Sequence, residues 1–262
     1  MAGRFRGRVS IVKSGKEIRN KLLASAAALL VWQAAAFAVR LEVLLPSPLS
    51  VLQTFIRMLF TAAFWKTAAF SLLRIAGGFF AALLLGFLLA LASHRFPWAE
   101  VLLWPYVITV KTVPVASVII ICLIWLGSGT LPMFISFLTV FPLIYTNLLQ
   151  GLKSTDGKLT EMAGLFRVPW LRRLRFLYLP QIEPYLRSAC SVALGMAWKS
   201  GVAAEVIAVT TGSMGEQLYM SKVHYLTPEL FAWTLAIVLL SVAMEKTVMR
   251  LADASFRRLK GR

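Results

Sequence analysis

The feature that most constrains this chain is an uncharged stretch of 41 residues at 112–152. A helix that crosses the hydrocarbon core of a bilayer needs about 20 mainly apolar residues, so the stretch is too long for one such helix. Gly127-Ser128-Gly129 divides it, because closely spaced glycines favour a turn. The stretch therefore predicts two membrane-spanning helices, one at about 101–126 that bends at Pro114 and one at 130–150.

Four other apolar stretches are long enough to cross a bilayer. They lie at 22–39, 75–93, 184–209 and 229–249. The chain as a whole is 59% hydrophobic and 15% charged, whereas soluble domains carry about 25% charged residues. We therefore predict an all-α integral membrane protein with six transmembrane helices and no sizeable soluble domain.

Lysine and arginine are distributed unevenly among the segments that connect these spans. With the N-terminus inside, the inner segments are 1–21, 94–100, 150–181 and 249–262. They hold nineteen of the 28 basic residues, and the outer segments hold four. Because basic loops stay cytoplasmic, we predict that both termini are cytoplasmic. The formal charge of +17 then reflects membrane topology and not binding of nucleic acid.

This topology divides the chain into a basic cytoplasmic N-terminus at 1–21, a membrane domain at 22–249 and a basic cytoplasmic tail at 250–262. A cleaved signal peptide is the alternative for the N-terminus, with Ala36-Phe37-Ala38 as the cleavage site. The basic lead of 21 residues and the apolar run of 18 residues are both long for a signal peptide. We therefore favour an uncleaved first span.

The longest inner loop, at 151–181, is predicted to contain two short helices. Thr155 or Asp156 can cap the first, whose body is at 158–166. Pro169 suits the first turn of the second helix, where a missing N–H costs nothing.

The second helix of this loop is amphipathic. Trp170, Leu174 and Leu177 recur at i, i+4 and i+7, which places them on one apolar stripe. The arginines lie off this stripe, at Arg172, Arg173 and Arg175. On periodicity alone, a helix that rests on anionic lipid headgroups explains the pattern as well as a docking helix does.

The spacing within the loop resembles the EAA loop of binding-protein-dependent ABC permeases. That pattern is Glu-Ala-Ala, three residues, Gly, nine residues and Ile-x-Leu-Pro. Here it corresponds to Glu161-Met162-Ala163, Arg167 and Leu177-Tyr178-Leu179-Pro180, with the same 19 positions between the glutamate and the proline. Gly164 lies three residues before Arg167 and could give the turn the freedom that the missing glycine would supply. Met162 replaces an alanine and Arg167 replaces the glycine, which leaves open whether the turn between the helices has the family's geometry.

Other segments resemble the nitrate/sulfonate/taurine-type branch of this MetI-like superfamily. They are Leu45-Pro46-Ser47-Pro48 after the first span, Ser71-Leu72-Leu73-Arg74 with Gly78 and Gly86 in the second, Pro114 and Trp125-Leu126-Gly127 with Gly129 in the third, and Gly195-Met196-Ala197-Trp198 with Ala204-Glu205 in the fifth. Their order and spacing agree with the predicted spans over most of the chain.

The resemblance implies the permease subunit of an ATP-driven importer in the bacterial inner membrane. The solute would be a sulfonate, nitrate or taurine-like anion, or a vitamin precursor. The residues implied in ATPase coupling are Glu161, Met162, Ala163, Gly164, Arg167, Leu177, Leu179 and Pro180. The alternative is an ATP-independent secondary carrier or channel, which usually shows an internal repeat and coupled ionisable groups.

The partners implied are a cytoplasmic ATPase dimer, a second permease copy in a homodimer, an extracytoplasmic solute-binding protein and membrane lipid. The chain has no G-x-x-x-x-G-K-[ST] phosphate loop, so ATP and Mg²⁺ are expected in the ATPase. We expect no catalytic residue, because no HExxH or nucleophile motif is present. We also expect no cofactor and no metal in this chain, since Cys122 and Cys190 lie in apolar runs without a ligand pattern.

Ionisable residues inside the spans are the remaining candidates for function, because each costs about 2.5–3.5 kcal/mol on insertion unless it meets water or a partner. Lys199 and Glu205 are six positions apart, about 240° of net helix rotation, so they do not pair along one face. We take them, with Trp198 and Pro114, as candidates for lining the translocation path. The alternative for Lys199 and Glu205 is a structural role, for instance an ion pair between Glu205 and Arg74. We expect a structural role for Arg74 and for Lys111, the latter through a bond to a carbonyl.

Overall fold

A computed structural model describes residues 15–260 of the chain, and within that range it contains helices, turns and loops but no strand. Residues 1–14 and 261–262, which belong to the two predicted basic termini, lie outside the described residues. The helices are α1 (Gly15–Val39), α2 (Pro48–Leu59), α3 (Ala62–Arg95), α4 (Pro97–Thr112), α5 (Val115–Leu123), α6 (Leu131–Lys153), α7 (Gly157–Leu165), α8 (Trp170–Arg173), α9 (Leu179–Ala208), α10 (Met214–Val223) and α11 (Thr227–Lys260).

Polar side chains define where several helices begin. The side-chain oxygens of Ser47, Thr61, Asp156 and Ser213 accept hydrogen bonds from the backbone N–H groups of Ser50, Phe64, Lys158 and Glu216, respectively. Each bond satisfies one of the N–H groups that the first helical turn leaves without a partner. Of the two residues proposed to cap α7, it is therefore Asp156 that does so.

Five helical segments are long and apolar enough to cross a membrane, namely Arg19–Val39, Ala62–Arg95, Leu131–Lys153, Trp170–Ala208 and Thr227–Ala254. The remaining predicted span, the third along the chain, is broken, because α4 and α5 meet at an angle of 101°. Val113 is extended at the break, with φ −72° and ψ 132°, as expected for a residue that precedes a proline. The chain does change direction at Pro114 as predicted, but by a break and not by a bend within one helix, since the helix stops at Thr112 and restarts at Val115.

The bundle has two ends, and the chain path shows that α4 and α5 together connect them. We call the end that carries 154–169 the loop end and the end that carries 127–130 the turn end. Helices α3 and α6 run side by side from the turn end to the loop end, since Gly78 lies against Met133 and the Ser93 hydroxyl is 2.9 Å from the Tyr145 hydroxyl. The pair α4–α5 must therefore return from the loop end to the turn end, which makes six crossings.

The centre of the bundle is formed by α3, α6 and α9, which pack closely because glycine occupies their contacts. A Cβ on Gly78 would collide with the carbonyl oxygen of Met133, and one on Gly86 would lie 3.0 Å from the Ile144 side chain. Small residues allow helix backbones to approach in this way inside membranes. These contacts hold α3 and α6 side by side from Gly78 to Ser93 of α3.

Candidate coupling loop and membrane-embedded charges

The loop between α6 and the next span contains one separate helix, α7, followed by a tight turn. Helix α7 ends in a Schellman motif, in which the Val168 N–H donates to the Ala163 carbonyl at 3.0 Å and the Arg167 N–H donates to the Gly164 carbonyl at 3.0 Å. Arg167 is the left-handed residue of this motif, with φ 49°. Glycine usually occupies that position because it has no Cβ. Arg167 therefore adopts the conformation that the missing glycine would have.

Arg173 connects this turn to the helix that follows it. Its Nε donates to the Val168 carbonyl and its Nη2 donates to the Ala163 carbonyl, both at 2.8 Å. Arg172 and Arg175, by contrast, are exposed. Periodicity placed all three arginines off the apolar stripe and did not distinguish Arg173 from the other two. Its two acceptor carbonyls come within reach of its side chain only because the chain turns after α7.

The second predicted loop helix is not separate from the span that follows. Residues Trp170–Ala208 form one continuous helical segment, with a π-helical turn at Leu174–Tyr178. The Leu179 N–H donates to the Leu174 carbonyl across this turn. A proline ring at Pro180 would press on the carbonyl four residues earlier, and the wider π turn relieves that crowding. The prediction of two short helices is therefore wrong for the second one.

The predicted coupling residues fall into two groups. Glu161, Met162, Gly164, Arg167 and Pro180 are exposed, whereas Ala163, Leu177 and Leu179 are partly buried. Leu177 and Leu179 pack against the main core together with Leu174. Buried Tyr178 contacts the rings of His94 and Trp170 at centroid distances of 5.1 and 5.6 Å. The second half of the motif thus anchors the loop to the bundle, and the first half stands free.

Exposed apolar side chains surround the free half of the loop. Leu165 is 83% exposed, Phe166 76% and Leu171 76%. Glu161 lies one helical turn before Leu165 on α7, so the two side chains share a face. The result is a carboxylate within an apolar patch at the tip of the loop.

Glu205 is the most deeply buried ionisable group among the described residues, with no exposed surface. Its Oε2 accepts hydrogen bonds from the Ser71 hydroxyl at 2.8 Å and from the Gly215 N–H at 3.2 Å. Ser71 in turn accepts from the Met214 N–H at 2.9 Å. Glu205 therefore holds α3, α9 and the start of α10 together at the turn end, and the expectation that it lines an open path does not fit its position.

Arg74 lies one turn after Ser71 on α3, with its guanidinium 3.5 Å from the centre of the Phe70 ring. It attracts the Glu205 carboxylate electrostatically, but the ion pair considered from the sequence is absent among the contacts of the described residues. The Arg74 side chain also approaches Gly129 in the turn before α6. Arg74 thus lies between α3 and the turn before α6, and its structural role stays a prediction.

The other residues predicted to line the translocation path differ in how exposed their side chains are. Trp198 is only 2% exposed, so its proposed place on a path does not fit, whereas Lys199 and Pro114 are exposed. Lys111 is also exposed, and its Nζ donates to the Thr146 hydroxyl at 3.2 Å instead of to a carbonyl. The rotation of α9 about its axis decides which of two consecutive residues, Trp198 and Lys199, faces the core.

Both cysteines are buried free thiols. Within residues 15–260, no group of three or more metal-ligating side chains comes together.

The family model for the binding-protein-dependent transport system inner membrane component matches residues 82–261. This range covers α4 to α11, the broken span and the whole loop. The chain belongs to this family. It is a multi-pass permease of the inner membrane and a component of an ABC transporter, and not one of the ATP-independent carriers or channels considered as the alternative.

Similar proteins agree with this assignment. The permease is 25% identical over 214 residues to SsuC of Bacillus subtilis, named for aliphatic sulfonate transport, which covers 80% of this chain and 77% of that protein. It is 28% identical over 187 residues to the taurine transport permease TauC of Escherichia coli, covering 69% and 68%. It is 26% identical to the bicarbonate transport permease CmpB of Synechococcus elongatus, covering 55% and 52%.

A solved structure shares the fold of the permease. It is a crystal structure of an amino acid ABC transporter with histidines, with a TM-score of 0.53 and 16% identity over 79% of this chain and 94% of that one. Because the relatives are named as transport permeases of ABC systems, the permease is a transport subunit, and ATP hydrolysis belongs to a separate subunit.

Proposed function

We propose that this permease forms the translocation path of an importer for a small anionic solute of the sulfonate, taurine, nitrate or bicarbonate type. Three relatives are named for solutes of this kind, namely aliphatic sulfonates, taurine and bicarbonate. All three solutes carry a compact oxyanion group. That shared chemistry supports an anion as the substrate class.

The loop at 151–181 is proposed to couple this path to the ATPase. The observation that carries the proposal is the free tip of the loop, where Glu161 stands among exposed Leu165 and Phe166. The Schellman turn and the two bonds of Arg173 hold this tip in one geometry. Because the helix after the turn continues without interruption to Ala208, a displacement of the tip moves α9 and the Glu205 contacts at its far end.

The assembly in this proposal has two copies of the permease, an ATPase dimer that binds ATP and Mg²⁺, and an extracytoplasmic binding protein that delivers the solute. The basic loop end would face the cytoplasm and the turn end would face the binding protein. Membrane lipid would surround the exposed apolar sides of the spans.

Replacing Glu161 tests the coupling role. In proteoliposomes that contain the permease, its ATPase and its binding protein, we expect Glu161→Lys to abolish ATP-dependent uptake and copurification of the ATPase. The charge reversal places a cation in the docking patch without touching a buried residue, so the chain should still insert and unfold at the wild-type temperature.

Glu229→Lys is the matched control, because Glu229 is exposed in the first turn of α11 at the opposite end. It should leave copurification of the ATPase unchanged. Retention of the ATPase by Glu161→Lys, or uptake by the wild-type permease without ATP, would contradict the proposal.

A further inference from the structure

A groove separates most of α1 from the rest of the bundle. Within Arg19–Val39 only Ala36 is buried. Near the turn end the helix is held by Trp32, whose indole N–H donates to the Pro46 carbonyl at 3.1 Å and whose ring centre lies 5.7 Å from that of Phe231 on α11. On the far side of this contact from the turn end, α1 and α11 leave an open space between them.

The space is an apolar cavity of about 960 Å³, at the upper end of the roughly 300–1,000 Å³ that small-molecule pockets have. Its walls come from three helices, at 26–33 of α1, 48–52 of α2 and 231–238 of α11. Two of its polar side chains are already bonded, since Trp32 donates to Pro46 and the Thr234 hydroxyl donates to the Leu230 carbonyl at 2.9 Å. An occupant of this cavity must therefore be apolar over most of its length.

A second, polar cavity continues the groove at the turn end. Its volume is about 430 Å³, and Arg40 and Glu42 line it. Gln33 lies in the walls of both cavities. The Arg40 guanidinium lies 5.9 Å from the centre of the Phe37 ring, but among the described residues neither Arg40 nor Glu42 forms an ion pair. The polar cavity therefore offers one unpaired cation and one unpaired anion to a ligand.

The depth of the apolar cavity matches part of one leaflet. Helices α1 and α11 run in opposite directions, since the Thr227 hydroxyl at the start of α11 donates to the Val43 carbonyl just after α1 at 2.6 Å. Residues 26–33 therefore lie beside 231–238. Seven steps of helix rise by about 10 Å, whereas the hydrocarbon core is about 30 Å thick. A membrane-crossing helix of a second copy would need a groove of the full thickness, but an acyl chain of one leaflet does not.

We propose that this groove binds a phospholipid with a zwitterionic headgroup, such as phosphatidylethanolamine. The phosphate pairs with the Arg40 guanidinium and the ammonium group pairs with the Glu42 carboxylate. The Gln33 amide, at the border of the two cavities, donates to an ester carbonyl of the lipid, and an acyl chain fills the apolar cavity. The ligand is a component of the membrane and not the transported solute, and it fills the space that α1 leaves against α2 and α11.

The test measures retention of lipid and does not depend on transport. The permease is purified with its ATPase in detergent and offered equal amounts of phosphatidylethanolamine and phosphatidylglycerol with the same acyl chains. Native mass spectrometry then counts the adducts. We expect the phosphatidylethanolamine adduct to be about fivefold more abundant, because an ion pair at a partly exposed site is worth up to about this factor, and an anionic headgroup leaves Glu42 without a partner.

Substitutions of the charged residues separate the two ends of the headgroup. Glu42→Gln should bring the ratio of the two adducts to about one, because only phosphatidylethanolamine carries an ammonium group. Arg40→Gln should lower both adducts about fivefold, because both lipids carry a phosphate. Arg57→Gln is the matched control, since Arg57 is exposed on α2 and lies outside the lining of both cavities. It should leave both adducts unchanged.

The position of the acyl chain is tested with phosphatidylethanolamine that carries a diazirine in that chain. Irradiation of the same complex should label 26–33 of α1 and 231–238 of α11, and Arg40→Gln should reduce this label. Equal adducts of the two lipids in the wild-type permease would overturn the proposal. Absence of label from the groove, as expected where a helix of a second permease copy fills it, would also overturn it.

Discussion

Several helices of this permease end on non-glycine residues in a left-handed conformation. Arg167, Val209 and Tyr225 have φ of 49°, 46° and 58°. Each is followed by a residue whose N–H donates back to a carbonyl five positions earlier, at 3.0, 3.0 and 2.9 Å. The backbone bonds are satisfied, but an L-residue costs about 1–2 kcal/mol in this conformation. The cost is small enough for the surrounding hydrogen bonds to impose the turn.

Arg167→Gly is therefore expected to stabilise the coupling loop. Removing the Cβ relieves about 1 kcal/mol of backbone strain, and the exposed side chain makes no contact that would be lost. Hydrogen exchange of the Val168 amide should slow about fivefold, since 1 kcal/mol corresponds to about that factor. Arg167→Val is the control and should speed exchange. Faster exchange in the glycine variant would show that the arginine contributes a stabilising contact.

Glu205 is the residue on which the turn end depends. We expect Glu205→Ala to lower the free energy of unfolding by about 3 kcal/mol, because it leaves the Ser71 hydroxyl and the Gly215 N–H buried without an acceptor. Glu205→Gln keeps an acceptor oxygen and should cost about 1 kcal/mol. Thermal unfolding of the detergent-solubilised permease measures both. Equal losses in the two variants would mean that the charge, and not the acceptor, is what matters.

At the scale of the helices, contact between α3 and α6 organises the molecule. The glycines of α3 bring the two backbones together, whereas Gly195 of α9 has no atom within 4 Å of where a Cβ would stand. Glycine is therefore required for packing at some positions and not at others, although all lie in apolar helices and look alike in the sequence.

Gly78→Ala and Gly195→Ala form a matched pair that tests this difference. The first places a methyl group against the Met133 carbonyl and should destabilise the bundle by about 1–3 kcal/mol, as overpacking does. The second adds a better helix former in open space and should be neutral or raise stability by up to about 1 kcal/mol. Unfolding temperatures in detergent separate the two outcomes. A loss at Gly195 equal to that at Gly78 would contradict the packing explanation.

At the scale of the whole molecule, the broken span sets the topology. Because α4 and α5 return the chain to the turn end, the start of α1 and the end of α11 lie at the same end of the bundle. Which side of the membrane that end faces is a prediction from the distribution of basic residues.

The orientation can be measured by labelling single cysteines with a membrane-impermeant reagent. Lys158→Cys, in α7 at the loop end, is expected to react only in inside-out vesicles. Lys222→Cys, in α10 at the turn end, is expected to react in intact spheroplasts. The reverse pattern would place the coupling loop outside the cell and would also exclude its proposed contact with an ATPase.

The amino-acid sequence by itself determined the six apolar segments and the location of the long loop. A membrane span is a local property, since each needs only its own run of apolar residues and satisfies its own backbone bonds. The position of the EAA-like segment between the fourth and fifth spans also followed from spacing alone. Its contacts did not, and its role in coupling stays a prediction.

Only the tertiary structure decided how the helices are turned towards one another. It buried Glu205 and Trp198 while leaving Lys199 exposed, gave Arg173 bonds that two similar arginines lack, and broke the span at Pro114 where a single bent helix was expected. These outcomes depend on contacts made outside the residue's own helix: Glu205 on Ser71 of α3 and Gly215 of α10, and Arg173 on Ala163 and Val168 across the turn that ends α7. Local periodicity reports that a helix exists and how apolar it is, but the rotation of that helix is set by the partners it packs against.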